Sequence, residues 1–224
     1  MERKLYWLVG LVSALIMAGS FFIPSQSVNE SDLPWHIQHP SPGTTSIFGM
    51  TLGLSTTLDA EQRFQEQAKH SLFKSPDGQL AVELFFEQVT LAGLKSKIII
   101  NIAVPDAELQ GMYERGLRIS GSTSGKKITL APDDLGRVRT LPISSLTYMP
   151  SVRLEEGVIQ KRFGKPAQRI RENESGTVHW LYPQNGLDIA LGNEGKPVLQ
   201  YVPPKEFNKL LQPLLSRGKS LVEI

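Results

Sequence analysis

Apolar positions in this chain follow three spacings: an unbroken run, a helical period and a strict alternation. The unbroken run is Leu5 to Ile23, 19 residues with no charge. At about 1.5 Å per residue it covers roughly 28 Å, close to the hydrocarbon thickness of a bilayer. Tyr6 and Trp7 lie at interfacial depth, and Pro24 stops the helix. Arg3 and Lys4 precede the run and no Lys or Arg follows until Arg63, so the body is expected outside the membrane. The expected setting is a bacterial inner membrane, crossed once, with a periplasmic C-terminal domain. A secreted form after signal cleavage is the alternative, because Ala18-Gly19-Ser20 and Ser25-Gln26-Ser27 offer small residues at cleavage positions.

Beyond an extended Pro, Ser and Gly-rich linker over 24–45, the other two spacings alternate. Ile143 to Tyr148 reads as a strand. Leu154, Val158, Ile159 and Phe163 then share a helical face, and Gly164 with Pro166 ends that helix. Val178–Tyr182, Leu187–Leu191 and Val198–Val202 follow as strands separated by turns, one carrying the Asn185-Gly186 pair. The same order is expected earlier, with a strand at Ile47–Leu52, a helix from Leu58 to His70 and strands at Leu80–Phe86, Val89–Leu94 and Lys97–Val104. Val104-Pro105 and Val202-Pro203 lead alike into short helices. The predicted fold class is therefore α+β: two similar units, each a helical layer on a small antiparallel sheet, preceded by one transmembrane helix. The expected divisions are a cytoplasmic stub (1–4), the span (5–23), the linker (24–45), a first unit (46–116), a connecting hairpin and helix (117–142), a second unit (143–212) and a tail (213–224).

Composition narrows the chemistry. The 224 residues include no cysteine, which excludes disulfides, thiol nucleophiles and lipid-modified cysteine. The 24 Lys and Arg against 22 Asp and Glu are spread along the chain, so no nucleic-acid partner is expected.

The string Val158-x4-Phe163-Gly164-x-Pro166, then Trp180-x-Tyr182, Leu187-x-Ile189-x-Leu191 and Gly195-x2-Val198, resembles the SmpA/OmlA-type small envelope proteins, whose fold is called BLIP-like. Ile47-x-Gly49-Met50-Thr51 is similar to that family's opening strand and turn. The resemblance implies helices on an antiparallel sheet and a non-enzymatic scaffold or interaction role. Over its whole length the chain also resembles uncharacterised membrane-anchored proteins of Gram-negative bacteria.

Candidate chemistry is sparse. Ser71-Leu72-Phe73-Lys74 has the Ser-x-x-Lys spacing of penicillin-interacting enzymes, but Ser124 with Lys127 and Ser216 with Lys219 share it and no companion motif exists. His36 and His39 point to opposite sides of an extended segment, His70 is isolated, and His179 is expected at a solvent-facing or edge position. Asp133-Asp134 and Glu155-Glu156 read as first-turn helix acids. The loop Gly121–Gly125 beside Lys126-Lys127 reads as a hairpin tip. No catalytic, cofactor or metal residues are expected. Trp180, Tyr182 and Tyr201 are the candidates for an interaction surface, because aromatics on an open sheet combine contact area with polar handles. The expected function is a membrane-anchored periplasmic interaction or scaffold protein with an envelope protein partner; the alternative is an envelope hydrolase or a small-ligand or metal binder.

Overall fold

Nearly all the alternating runs pair edge to edge into one sheet. The computed structural model describes residues 29–122, 125–192 and 196–221. Along the chain come β1 (Ser46–Ile47), β2 (Met50–Thr51), α1 (Thr57–Phe64), β3 (Lys69–Lys74), β4 (Leu80–Leu91), β5 (Leu94–Ile102), α2 (Asp106–Glu114), β6 (Arg118–Ser122), β7 (Gly125–Thr129), α3 (Pro132–Val138), β8 (Ile143–Pro150), α4 (Glu156–Phe163), β9 (Gln168–Glu172), β10 (Val178–Tyr182), β11 (Leu187–Leu191), β12 (Pro197–Tyr201), α5 (Asn208–Arg217) and β13 (Gly218–Leu221). The strand order is β13-β9-β10-β11-β12-β8-β5-β4-β3-β7-β6, antiparallel throughout.

This corrects the expected fold class. Two separate small sheets do not form; a single antiparallel sheet of 11 strands carries five short helices. The cause is β8, which offers both of its edges: Ile98↔Tyr148 and Ile100↔Leu146 tie it to β5, and Leu199↔Tyr148 and Tyr201↔Leu146 tie it to β12. Residues 46–51 do not compete for the β5 edge, because they fold back on themselves as β1–β2 through Phe48 and Gly49. Both turn residues have positive φ, 53° and 77°, the two-residue turn that matches strand twist. Phe48 is an unusual occupant, held by the Arg63 Nε–H donating to its carbonyl at 2.9 Å and by ring contacts with Tyr148 and Tyr201. The expected transmembrane helix at 5–23 lies outside the described residues; among the described residues no helix is long and apolar enough to cross a membrane.

The helix over Leu58 to His70 is shorter than expected. Thr56 and Asp59 form a reciprocal cap, and α1 ends at Phe64 because Gln65 takes φ 54°. Gly164 does the same after Phe163, with φ 80°. Each helix is followed by a strand the sequence did not announce, β3 and β9. The described part of the linker is packed: Tyr201 Oη donates to Pro34 O at 2.7 Å and Trp35 meets Phe163 edge-on.

The main core lies on one face of the sheet. There Val82, Leu84, Phe86, Ile98, Ile100, Leu146, Trp180, Ile189 and Leu199 pack with residues of α1 to α4 and the β1–β2 hairpin. Burying such side chains stabilises by about 1.5–3 kcal/mol each.

Candidate interaction face and a buried histidine pair

The opposite face is covered over part of its width. Alternation puts Ile170, Leu181 and Val202 on it, and α5 with Phe207 and Leu214 closes over them as a second core. Over β3, β4, β5 and β8 no described helix does this, so Phe73, Phe85, Ile99 and Met149 are only half-buried. Two residue rows cross this bare region in register: Lys69–Phe85–Ile99–Thr147–Gln200, and Ser71–Glu83–Asn101–Ser145.

At the step between bare and covered regions lies an open groove of about 890 Å³. Its lining includes Glu83, Asn101 and Ser145 of the sheet, Phe73 of β3, Leu54, and Lys205, Lys209 and Leu210 at and before the start of α5. Asn101 Nδ2 donates to Ser145 Oγ at 2.9 Å. Burial pushes the Glu83 carboxyl above its ordinary value, against the opposing pull of the Lys127 ammonium. Lys209 donates to Glu206 and holds that carboxyl below its usual range. The groove thus offers amide and hydroxyl hydrogen-bonding groups among apolar and charged side chains, the makeup of a recognition site.

Under α5 the same face holds a buried His–Asp pair with Glu172 and Arg217 beside it. His179 Nδ1 lies 2.8 Å from Asp188 Oδ2, and both residues are shielded from solvent. His179 Nε2 faces Glu172 Oε1 at 3.8 Å, and Arg217 at the end of α5 reaches the same oxygen at 3.5 Å. His179 Nε2 and Asp188 Oδ1 are buried without hydrogen-bond partners. Desolvation pushes the Asp188 carboxyl up, outweighing the His179 hydrogen bond and charge; the Glu172 charge acts in the same upward direction. The pair has the orientation of a His–Asp base, but no hydroxyl bonds to its free nitrogen among the described residues.

The three aromatics expected on a contact surface are buried. Trp180 and Tyr201 are 0% exposed, and Tyr182 is buried with its Oη donating to Gly164 O at 3.1 Å. Arg169 lies over the Trp180 ring, 4.2 Å from its centre, and burial pushes the Tyr182 phenol up to about 12. Alternation showed that Trp180 and Tyr182 share a face. It could not show that this face is the main core. His179 is likewise buried rather than at a solvent-facing or edge position, because the strand carrying it is covered on both sides.

The remaining candidates stay apart. His36 bonds Gln38 and His39 bonds the Thr44 carbonyl, and no cluster of metal-binding side chains occurs among the described residues. Ser71 and Lys74 sit on a strand, where three-residue spacing sends them to opposite faces; Lys74 covers the Tyr113 ring. Asp134 pairs with Arg115 at 2.6 Å, and Glu156 with Arg169 at 3.3 Å. The sequence did hold a signal for the buried pair: Asp188 interrupts the apolar run Leu187–Leu191, and His179 lies across the Asn185-Gly186 turn. The groove residues had no such signal: β4 and β5 form a local hairpin through Ala92-Gly93, but β8, which completes the floor, joins β5 only through tertiary pairing. In comparisons with family models, curated proteins and solved structures, the chain matches none.

Proposed function

We propose that this chain is a membrane-anchored periplasmic protein that works by binding, with no chemical step of its own. Residues 5–23 tether it to the inner membrane, and the groove beside α5 holds a polypeptide segment of an envelope protein. The observation that supports this reading is the half-covered sheet face: Asn101 and Ser145 supply hydrogen bonds on its floor, while Phe73 and Leu210 supply apolar contact. Photoreactive residues placed at Asn101 and Ser145, in cells, test it. A discrete crosslinked protein is expected there and none from the exposed Gln110 on α2. Equal crosslinking from all three positions, or none, removes the groove from consideration. A C-terminal phosphatase fusion that stays inactive removes the periplasmic placement.

A further inference from the structure

A second surface, separate from the groove, lies at the far edge of the sheet. β6 pairs with β7 without a bulge from Arg118↔Thr129 to Ser122↔Gly125, and it has no described neighbour on its other side. Its outer backbone groups are therefore an open template for another strand. The apolar row of the main core also stops here. Ile102, Val82, Leu72 and Ile128 follow one another across the sheet, all buried, and the next position is Ile119, 53% exposed. Leu117, in the bend just before β6, donates its amide to Thr129 O at 2.9 Å and is 66% exposed. These are two of the few large apolar side chains the fold leaves in solvent, and a strand added to β6 would cover Ile119.

The charge of this edge says what that strand carries. Between Gly116 and Ala131 there are three cations, Arg118, Lys126 and Lys127, and no acidic residue. Arg118 alternates with Leu117 and Ile119, so it projects from the opposite face, as does Lys127, which pairs with Ser120. A second copy of this chain fits poorly, because its own β6–β7 edge brings the same three cations and no acidic residue to answer them.

We propose that β6 accepts an extended segment of another protein in which apolar residues alternate with Asp or Glu, adding a twelfth strand to the sheet. The apolar residues continue the Ile128–Ile119 row, and the carboxylates meet Arg118, with Lys127 one strand behind it. Backbone pairing supplies the affinity and the two alternating faces supply the selectivity.

The test uses the full chain in detergent micelles and a labelled octapeptide alternating Val and Glu, followed by fluorescence anisotropy. Saturable binding is expected, weakening as salt rises, with slowed hydrogen exchange at the 118–122 amides. Ile119→Lys and Ser120→Pro should each weaken binding about tenfold or more, and Asn101→Ala in the groove should leave it unchanged. Ile119→Lys leaves the backbone intact, so it reports even where the proline variant unfolds. An octapeptide alternating Val and Lys that binds equally well overturns the proposal. So does unaltered binding by Ile119→Lys. Self-association of the full chain that Ser120→Pro abolishes would assign the edge to a second copy instead. Loss of groove crosslinking with peptide binding retained would fault the groove reading alone.

Discussion

Two stretches of the same sheet face, a few strands apart, have opposite fates. At β9 to β12, Ile170, Leu181 and Val202 are sealed under α5, whereas at β3 to β5, Phe73, Phe85 and Ile99 stay half-buried. The strands alternate in the same way in both places. What differs is a single ten-residue helix that arrives from the end of the chain. Whether an alternating strand lines a core or a recognition surface is therefore decided by an element distant in sequence, while the alternation itself sets only which residues travel together.

Substitution can break this comparison. Phe207→Ala at the covered end should cost about 3–5 kcal/mol in urea unfolding, while Phe85→Ala at the bare end should cost roughly 1 kcal/mol. Equal losses would mean that something covers both ends in solution. Gly186→Ala should cost at least about 2 kcal/mol, because at φ 62° an added Cβ meets the Val202 carbonyl at 1.9 Å, at the strand crossing that leads to α5.

Buried titrating groups sharpen the contrast through pH. The Asp188 carboxyl is raised in the fold, so its stabilising contribution is complete below the ordinary value of 3.8 and is lost as pH rises through the folded value. Asp188→Asn should therefore gain stability relative to the parent as pH rises, read as thermal midpoints across a pH series. His70, on β3, behaves oppositely: desolvation, the largest influence, lowers its value, with Arg139 adding to the lowering and Glu61 opposing it. Its contribution is present above 6.5 and is lost as pH falls, so His70→Gln should flatten the acid limb. The smallest change is expected at the groove floor. Glu83→Gln should alter stability at neutral pH by no more than about 0.5 kcal/mol, toward greater stability, while changing crosslinking at Asn101.

The sequence was most legible where one segment carried its own signal. The end of α4 at Gly164 and the strands from Val178 to Leu191 follow from local turn chemistry and alternation. β3 is hidden in the sequence because Gln65, not glycine, takes the left-handed turn, so the helical spacing runs on to His70 without a stop signal. β9 was hidden by its polar makeup, Gln168-Arg169-Ile170-Arg171-Glu172. β4 looked like two strands because a register shift between Phe86 and Val89 puts Glu87 and Gln88 side by side in solvent. The merger of two expected sheets into one had no local signal at all, since it depends on both edges of β8 finding partners. The same holds for the site: Trp180, Tyr182 and Tyr201 were placed on the right strands, but the side that is buried is a property of the whole sheet.

The central place of β8 also sets a schedule for synthesis. β5 carries Ile98, Ile99, Ile100 and Ile102, and the edge it shows to β8 is completed only when residues 143–150 leave the ribosome, roughly fifty residues later. At about 5–20 residues per second, the first half of the sheet waits some seconds with its most isoleucine-rich edge unpaired. Nascent chains stalled between residues 102 and 143 would be the most prone to aggregate or to recruit a chaperone, and release past β8 would end that exposure in one step.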